Sequence, residues 1–279
     1  MTDPYIFILD LDGTIIGDCT YQVILYNIEQ ICKKHKIKSK GDNVLLNCYR
    51  PNSKLIRPFF KYFIACVKKL YPNSLFYVYT ASEKSWAYKE VAMIEKTHNI
   101  KFNKPVFTRE DCIIDSFGNY RKSVKKILPK IVKNNKKCTI KPENILVIDN
   151  NETFVDFQNN FLLCPTYDYV LFVDVWEKMK KEYMKIMEIY TVIKKLMATN
   201  KICKYCTWDT DSLIDTKLLE NKHKWLYKKH KKINNINKKY HTDIFWKHLA
   251  NTLIEKKILF FNKENIDLLQ KTIHSIKSD

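Results

Sequence analysis

Three short stretches of the chain read as buried strands. Residues 5–10 (YIFILD), 75–79 (LFYVY) and 145–149 (ILVID) are rich in β-branched or aromatic residues, and each stops at a polar cluster. Weaker versions of the same signal lie at 161–164 (FLLC) and 170–173 (VLFV). Between them the apolar positions recur at helical spacing. Helices are expected over 20–36, 58–70, 84–97 and 122–132. The second places Phe59, Phe60, Phe63, Ile64, Val67 and Leu70 on one face, with Pro58 in its first turn, where proline is tolerated. Strands alternating with helices predict an α/β fold, a doubly wound parallel sheet with helices on both faces.

After about residue 175 the pattern changes. Strand signals nearly vanish, and lysine-rich helical patterns occupy 175–200, 213–236, 241–258 and 263–277. This predicts a division into an α/β domain over 1–174 and a basic helical region over 175–279. Within the first, 15–50 reads as a helix and a polar loop, a small insertion with no room for a large closing cap.

Composition adds less than its size promises. The formal net charge is +19 over 279 residues, almost all of it from lysine. An AT-rich coding sequence produces such a bias, and so does attraction to a polyanion. The scarcity of arginine argues against bidentate readout. The densest cationic run, 222–239 (KHKWLYKKHKKINNINKK), is the candidate nucleic-acid surface, and equally reads as a solvated amphipathic helix. Nine scattered cysteines point to reduced thiols and a cytoplasmic or nuclear, non-secreted protein. The N-terminus carries an acid where a secretory leader has basic residues, so none is expected. No apolar run approaches the roughly 20 residues of a membrane span, and no membrane partner is expected. Cys203 and Cys206 form a CxxC, but His223 and His230 are six residues apart between them, outside the usual zinc spacing.

Active sites of open parallel sheets lie at the carboxyl ends of the strands. The residues to inspect are therefore Asp10 and Asp12 after the first strand, Thr80 and Ser82 after the second, and Asp149, Asn150 and Asn151 after the third. A lysine-rich segment, 119–126, precedes the third strand. Paired carboxylates, hydroxyls, a cation and metal-binding oxygens would converge in one crevice.

This set resembles the haloacid dehalogenase (HAD) superfamily of phosphohydrolases: DLDGT is similar to its first motif, the threonine of YTAS to its second, Lys122 to its third and VIDNN to its fourth. It resembles more closely the branch of RNA polymerase II C-terminal-domain phosphatases and NLI-interacting-factor-like proteins. That likeness is carried by IRPFFKYF before the second strand, REDC at 109–112, NYRK at 119–122 and IDN at 148–150. The resemblance implies a HAD-like Rossmannoid fold and a phosphomonoester hydrolase. Asp10 would be the nucleophile that forms an aspartyl-phosphate, and Asp12 the proton carrier. Mg²⁺ would be held by Asp10, the Asp12 carbonyl and Asn150, with Asp149 in or near the shell. Thr80, Ser82 and Lys122 would bind the phosphate. Arg109 reads either as a further substrate contact or as a partner of Glu110 or Asp111. The implied substrate is a phosphoserine or phosphothreonine protein, the polymerase tail among the candidates. Two rivals stay open: a polynucleotide phosphatase gripping nucleic acid through the basic C-terminal region, and a non-catalytic adaptor of the same fold.

Overall fold

The computed structural model describes residues 3–17, 53–135, 139–169 and 237–275. The chain divides into two compact units. One gathers residues 1–16, 56–167 and 243–279, and the other 17–55 and 168–242. The first unit holds the sheet.

Four strands run parallel in the spatial order β2-β1-β5-β6: β1 (Ile6–Leu9), β2 (Leu75–Val78), β5 (Ile145–Asp149) and β6 (Phe161–Leu163). A two-residue antiparallel hairpin, β3 (Ile113–Ile114) and β4 (Tyr120–Arg121), stands apart from them. The four residues of β1 and the five of β5 are buried throughout, which marks central strands covered on both faces. Successive connections leave β1 in opposite directions, first to β2 and then across to β5. A crevice therefore opens at the carboxyl ends of β1 and β5.

Among the described residues of this unit are five α-helices: α1 (Phe60–Leu70), α2 (Lys84–His98), α3 (Val124–Asn134), α4 (Phe245–Glu255) and α5 (Lys263–Ser275). Helix α1 buries Phe60, Phe63, Ile64 and Val67, a stripe at helical spacing. It starts two residues later than the apolar spacing predicts. Phe59 adopts the left-handed conformation (φ 63°), so the helix cannot run through it from Pro58. Just before it, Arg57 N donates to Ile15 O at 2.8 Å.

Helices α4 and α5 pack onto this same unit. Trp246 of α4 is fully buried, with its ring 5.1 Å from that of Phe60 and 4.6 Å from that of Phe63. Gln270 of α5 bonds both backbone groups of Leu163 in β6, at 3.0 and 3.1 Å. Each buried large apolar side chain contributes roughly 1.5–3 kcal/mol. The lysine-rich C-terminal stretch thus supplies, from 243 onward, part of the wall around the sheet. In the second unit the described contacts include Lys54 Nζ with His241 Nδ1 at 2.7 Å.

The expected helices at 20–36, 175–200 and 213–236, the strand at 170–173, most of the 15–50 insertion, the CxxC and nearly all of the 222–239 run lie outside the described residues. Cys66, Cys112 and Cys164 are free thiols. Among the described residues no helix is long and apolar enough to cross a membrane.

Candidate active site

The apolar run of β1 ends where the backbone turns. Asp10 N still pairs with Ile148 O of β5 at 2.9 Å, and a tight loop from Leu11 to Ile16 follows. The loop needs its glycine. Gly13 has φ +79°, and a Cβ there would stand 2.7 Å from Asn150 Nδ2. Asp10 and Asp12 leave this loop toward different partners. Asp12 Oδ2 accepts from Ser82 Oγ at 2.7 Å and from Thr80 Oγ1 at 3.4 Å. Thr80 does not cap the following helix. Its hydroxyl accepts from Ser82 N at 3.1 Å and folds the 80–82 turn, while α2 starts beyond Glu83.

Asp10 instead meets a lysine. Lys122 Nζ donates to Asp10 Oδ1 at 2.5 Å and to Asp149 Oδ2 at 2.7 Å, and all three side chains are buried. The backbone aims this lysine. Lys122 N donates to Thr153 O and Lys122 O accepts from Val155 N, each at 3.0 Å. Asp156 then caps α3 immediately afterwards, accepting from Ser123 Oγ at 2.6 Å and Val124 N at 2.8 Å. Its neighbour Lys126 goes elsewhere, Nζ to Cys112 O at 2.7 Å. Asp149 is fixed further by Asn151 N at 2.7 Å and Thr153 Oγ1 at 3.1 Å.

The fourth component is an oxygen-lined corner. One end of the Asn150 amide lies 3.0 Å from the Asp12 carbonyl oxygen, 3.2 Å from Asp10 Oδ2 and 3.1 Å from Thr14 Oγ1. With its nitrogen turned inward the amide donates to these oxygens. With its oxygen turned inward, a carboxylate, a backbone carbonyl and an amide oxygen converge, the donor set that a hard divalent cation takes. Among the described residues no three His, Cys, Asp or Glu side chains group to hold an ion. Two of the three oxygens here come from a peptide carbonyl and an amide.

Burial pushes the Asp10 carboxyl up to about 7; Asp149 and Asp12 add repulsion, while the Lys122 ammonium pulls the other way. For Lys122, burial alone would favour the neutral amine, but the Asp10 and Asp149 carboxylates more than reverse it and hold the group charged, its pKa above the usual lysine value. Two acidic side chains thus share one ammonium in a buried place.

A family model described as NLI interacting factor-like phosphatase matches residues 5–202. The chain belongs to that family. It is therefore a phosphatase. No curated protein matches the chain. Among solved structures, the RNA polymerase II CTD phosphatase Fcp1 of fission yeast, bound to beryllium fluoride, is similar at 14% identity over 94% of this chain and 69% of that one, with a TM-score of 0.37. A phospho-aspartyl intermediate analogue of phosphoserine phosphatase is similar at 15% identity over 53% of this chain and 78% of that one, with a TM-score of 0.28.

In this phosphatase, eight of the nine residues singled out from sequence stand in one contact network: Asp10, Asp12, Thr80, Ser82, Lys122, Asp149, Asn150 and Asn151. Arg109 joins it only through the backbone, its Nε donating to Ala81 O at 2.9 Å. Its ion-pair partner is Glu83 at 3.5 Å, rather than Glu110 or Asp111. The guanidinium lies 5.0 Å from the Tyr120 ring centre and lines an open groove of about 770 Å³ with Lys84 and Ile114. Sequence reasoning gave no role to Thr14 or Thr153. Thr14 lies in the DLDGT motif and Thr153 four residues after Asp149, and that nearness to the motifs is the only signal they carry.

Proposed function

We propose that this phosphatase hydrolyses phosphomonoesters with Asp10 as nucleophile and Mg²⁺ as cofactor, on phosphoserine or phosphothreonine in a protein. The observation that carries the reading is the convergence of Asp10 Oδ2, the Asp12 carbonyl and the Asn150 amide, with Lys122 bound to the other oxygen of Asp10. Those three oxygens would hold the ion. When bound, Mg²⁺ neutralises charge on the phosphoryl oxygens as it would in other phosphoryl transfers.

The chain's own groups supply the rest. Asp10 attacks phosphorus, the ester P–O bond breaks, and the leaving oxygen takes a proton from Asp12. Asp12 then accepts a proton from the water that attacks the aspartyl-phosphate. The P–O bond to Asp10 breaks and inorganic phosphate leaves. Ser82 and Thr80 hold Asp12 Oδ2 in line for both transfers. Lys122 neutralises Asp10 and so lets a carboxylate approach an anionic phosphoryl group. The Thr80 and Ser82 hydroxyls border the position the phosphoryl oxygens would take. Membership of the NLI interacting factor-like family supports a protein substrate.

The test is turnover of an aryl phosphate and of a phosphoserine peptide. We expect hydrolysis of both with Mg²⁺, none in EDTA, and loss of turnover to background in Asp10→Asn with an unchanged circular dichroism spectrum. Full activity in that variant would refute the nucleophile assignment.

A further inference from the structure

Asp243 lies 41 residues beyond the last family-matched position, 202, yet it ends up bonded beside the site. Its carboxylate accepts from Arg57 Nε at 3.0 Å and from Arg57 Nη2 at 2.8 Å, a two-pronged pair with the arginine side chain 1% exposed. Phe245 and Tyr167 close over the guanidinium, with ring centres 4.4 and 5.4 Å from Cζ. The third nitrogen, Nη1, donates to Pro165 O at 2.7 Å and lies 3.9 Å from Cys164 Sγ.

These contacts grip the loop that carries the oxygen-lined corner at several points. Arg57 N holds Ile15 O, and Tyr167 N, two residues past Pro165, holds Gly13 O, both at 2.8 Å. Cys164 Sγ lies 3.6 Å from Thr14 Oγ1. Burial pushes that thiol up to about 12, so it stays protonated and neutral beside the guanidinium. Thr14 Oγ1 in turn accepts from Asn150 N and donates to Asn150 Oδ1, each at 3.1 Å. One arginine therefore ties the 11–16 loop to the 164–167 tail of β6, and one aspartate from the C-terminal stretch fixes that arginine.

We propose that Asp243 and Arg57 are positioning residues for the ion-binding corner: the pair sets the spacing of the Asp12 carbonyl and the Asn150 amide through the 13–15 backbone, Pro165 and Thr14. The inference rests on the divalent-ion reading given above. Partners standing one contact behind metal ligands change affinity by about 10–100-fold when altered. Lysine would keep the charge at position 57 but could not serve Asp243 and Pro165 together.

The experiment is Mn²⁺ titration of the full chain, followed by the free-ion electron paramagnetic resonance signal. Asp243→Asn is expected to weaken Mn²⁺ binding by about tenfold or more, and to raise the Mg²⁺ concentration for half-maximal turnover in proportion. The KM for aryl phosphate at saturating Mg²⁺ should stay unchanged. Asp243→Glu should recover part of the loss. Tyr71→Phe, which loosens the C-terminal stretch at the opposite end of the sheet, should bind Mn²⁺ as the wild type does. Arg57→Lys carries the same test should Asp243→Asn fail to fold. Equal Mn²⁺ affinity in wild type and Asp243→Asn, or an equal loss in Tyr71→Phe, overturns the proposal while leaving the ion site standing. No Mn²⁺ binding by the wild type removes the ion reading and this inference with it.

Discussion

At the amino end of the central sheet neutral polar side chains bond to backbone carbonyls. Tyr71 Oη donates to Ile258 O at 2.5 Å, Tyr5 Oη to Leu259 O at 2.6 Å, and Asn160 Nδ2 reaches the carbonyls of Pro142, Ile145 and Phe261 at 2.8, 3.0 and 2.7 Å. The rings of Tyr5, Phe7, Tyr71 and Phe261 pack around them with centres 4.5–6.3 Å apart. At the carboxyl end β1 and β5 deliver Asp10 and Asp149 into burial, where Lys122, just after β4, bridges them. The contrast separates two uses of polar atoms. Neutral partners at one end hold elements together at about 1 kcal/mol per bond. Charges at the other are kept desolvated at a cost, where under the proposed mechanism they would act on a charged substrate.

The largest effect that would sharpen this contrast is Lys122→Met. It leaves two buried carboxylates facing each other, and breaking such a pair costs about 3–5 kcal/mol. Urea denaturation in EDTA should register that loss, and turnover should vanish. A stable, active Lys122→Met protein would break the comparison outright.

Next comes the acidity of Asp10. A carboxyl raised from 3.8 to about 7 binds its proton more tightly in the folded chain than in the unfolded one. Its contribution to stability is fully present below pH 3.8 and is lost as pH rises toward 7. Asp10→Asn removes that dependence. The stability difference between the variant and the wild type, measured in EDTA, should therefore grow in favour of the variant from about pH 4 to pH 7 and level off above. A difference that stays flat with pH would mean the carboxyl is not desolvated as described.

Smaller changes are expected at the amino end. Asn160→Ala strands three buried carbonyls and should cost about 2–3 kcal/mol. Tyr71→Phe removes one bond and should cost about 1 kcal/mol. Both losses should be independent of pH between 5 and 8, and neither should alter turnover per folded molecule. A fall in turnover matching the fall in stability would show that the two ends are not separable.

What the sequence revealed follows the same line. The tips of β1, β2 and β5 are legible because a buried strand ending in polar residues is a local pattern, and the polar side chains that meet in the crevice are among the first few residues after each. Lys122 could be preferred over Lys125 and Lys126 only by resemblance; geometry separates them through the backbone clamp from Thr153 and Val155. Helix α1 starts two residues later than the spacing predicts because periodicity carries no sign of the left-handed Phe59. Arg57 and Asp243 are 186 positions apart, and no spacing rule joins them. Asn160 reads as an ordinary loop residue until its amide is seen facing three carbonyls.

Helices α4 and α5 have a practical consequence. A recombinant fragment trimmed to the family-matched span, ending at 202, would lack the tryptophan wedged against α1 and the glutamine that closes the edge of β6. It would expose Phe60, Phe63 and Leu162 to water. Boundaries drawn from similarity alone would cut this protein through its interior, and aggregation of such a fragment would say nothing about its catalytic competence.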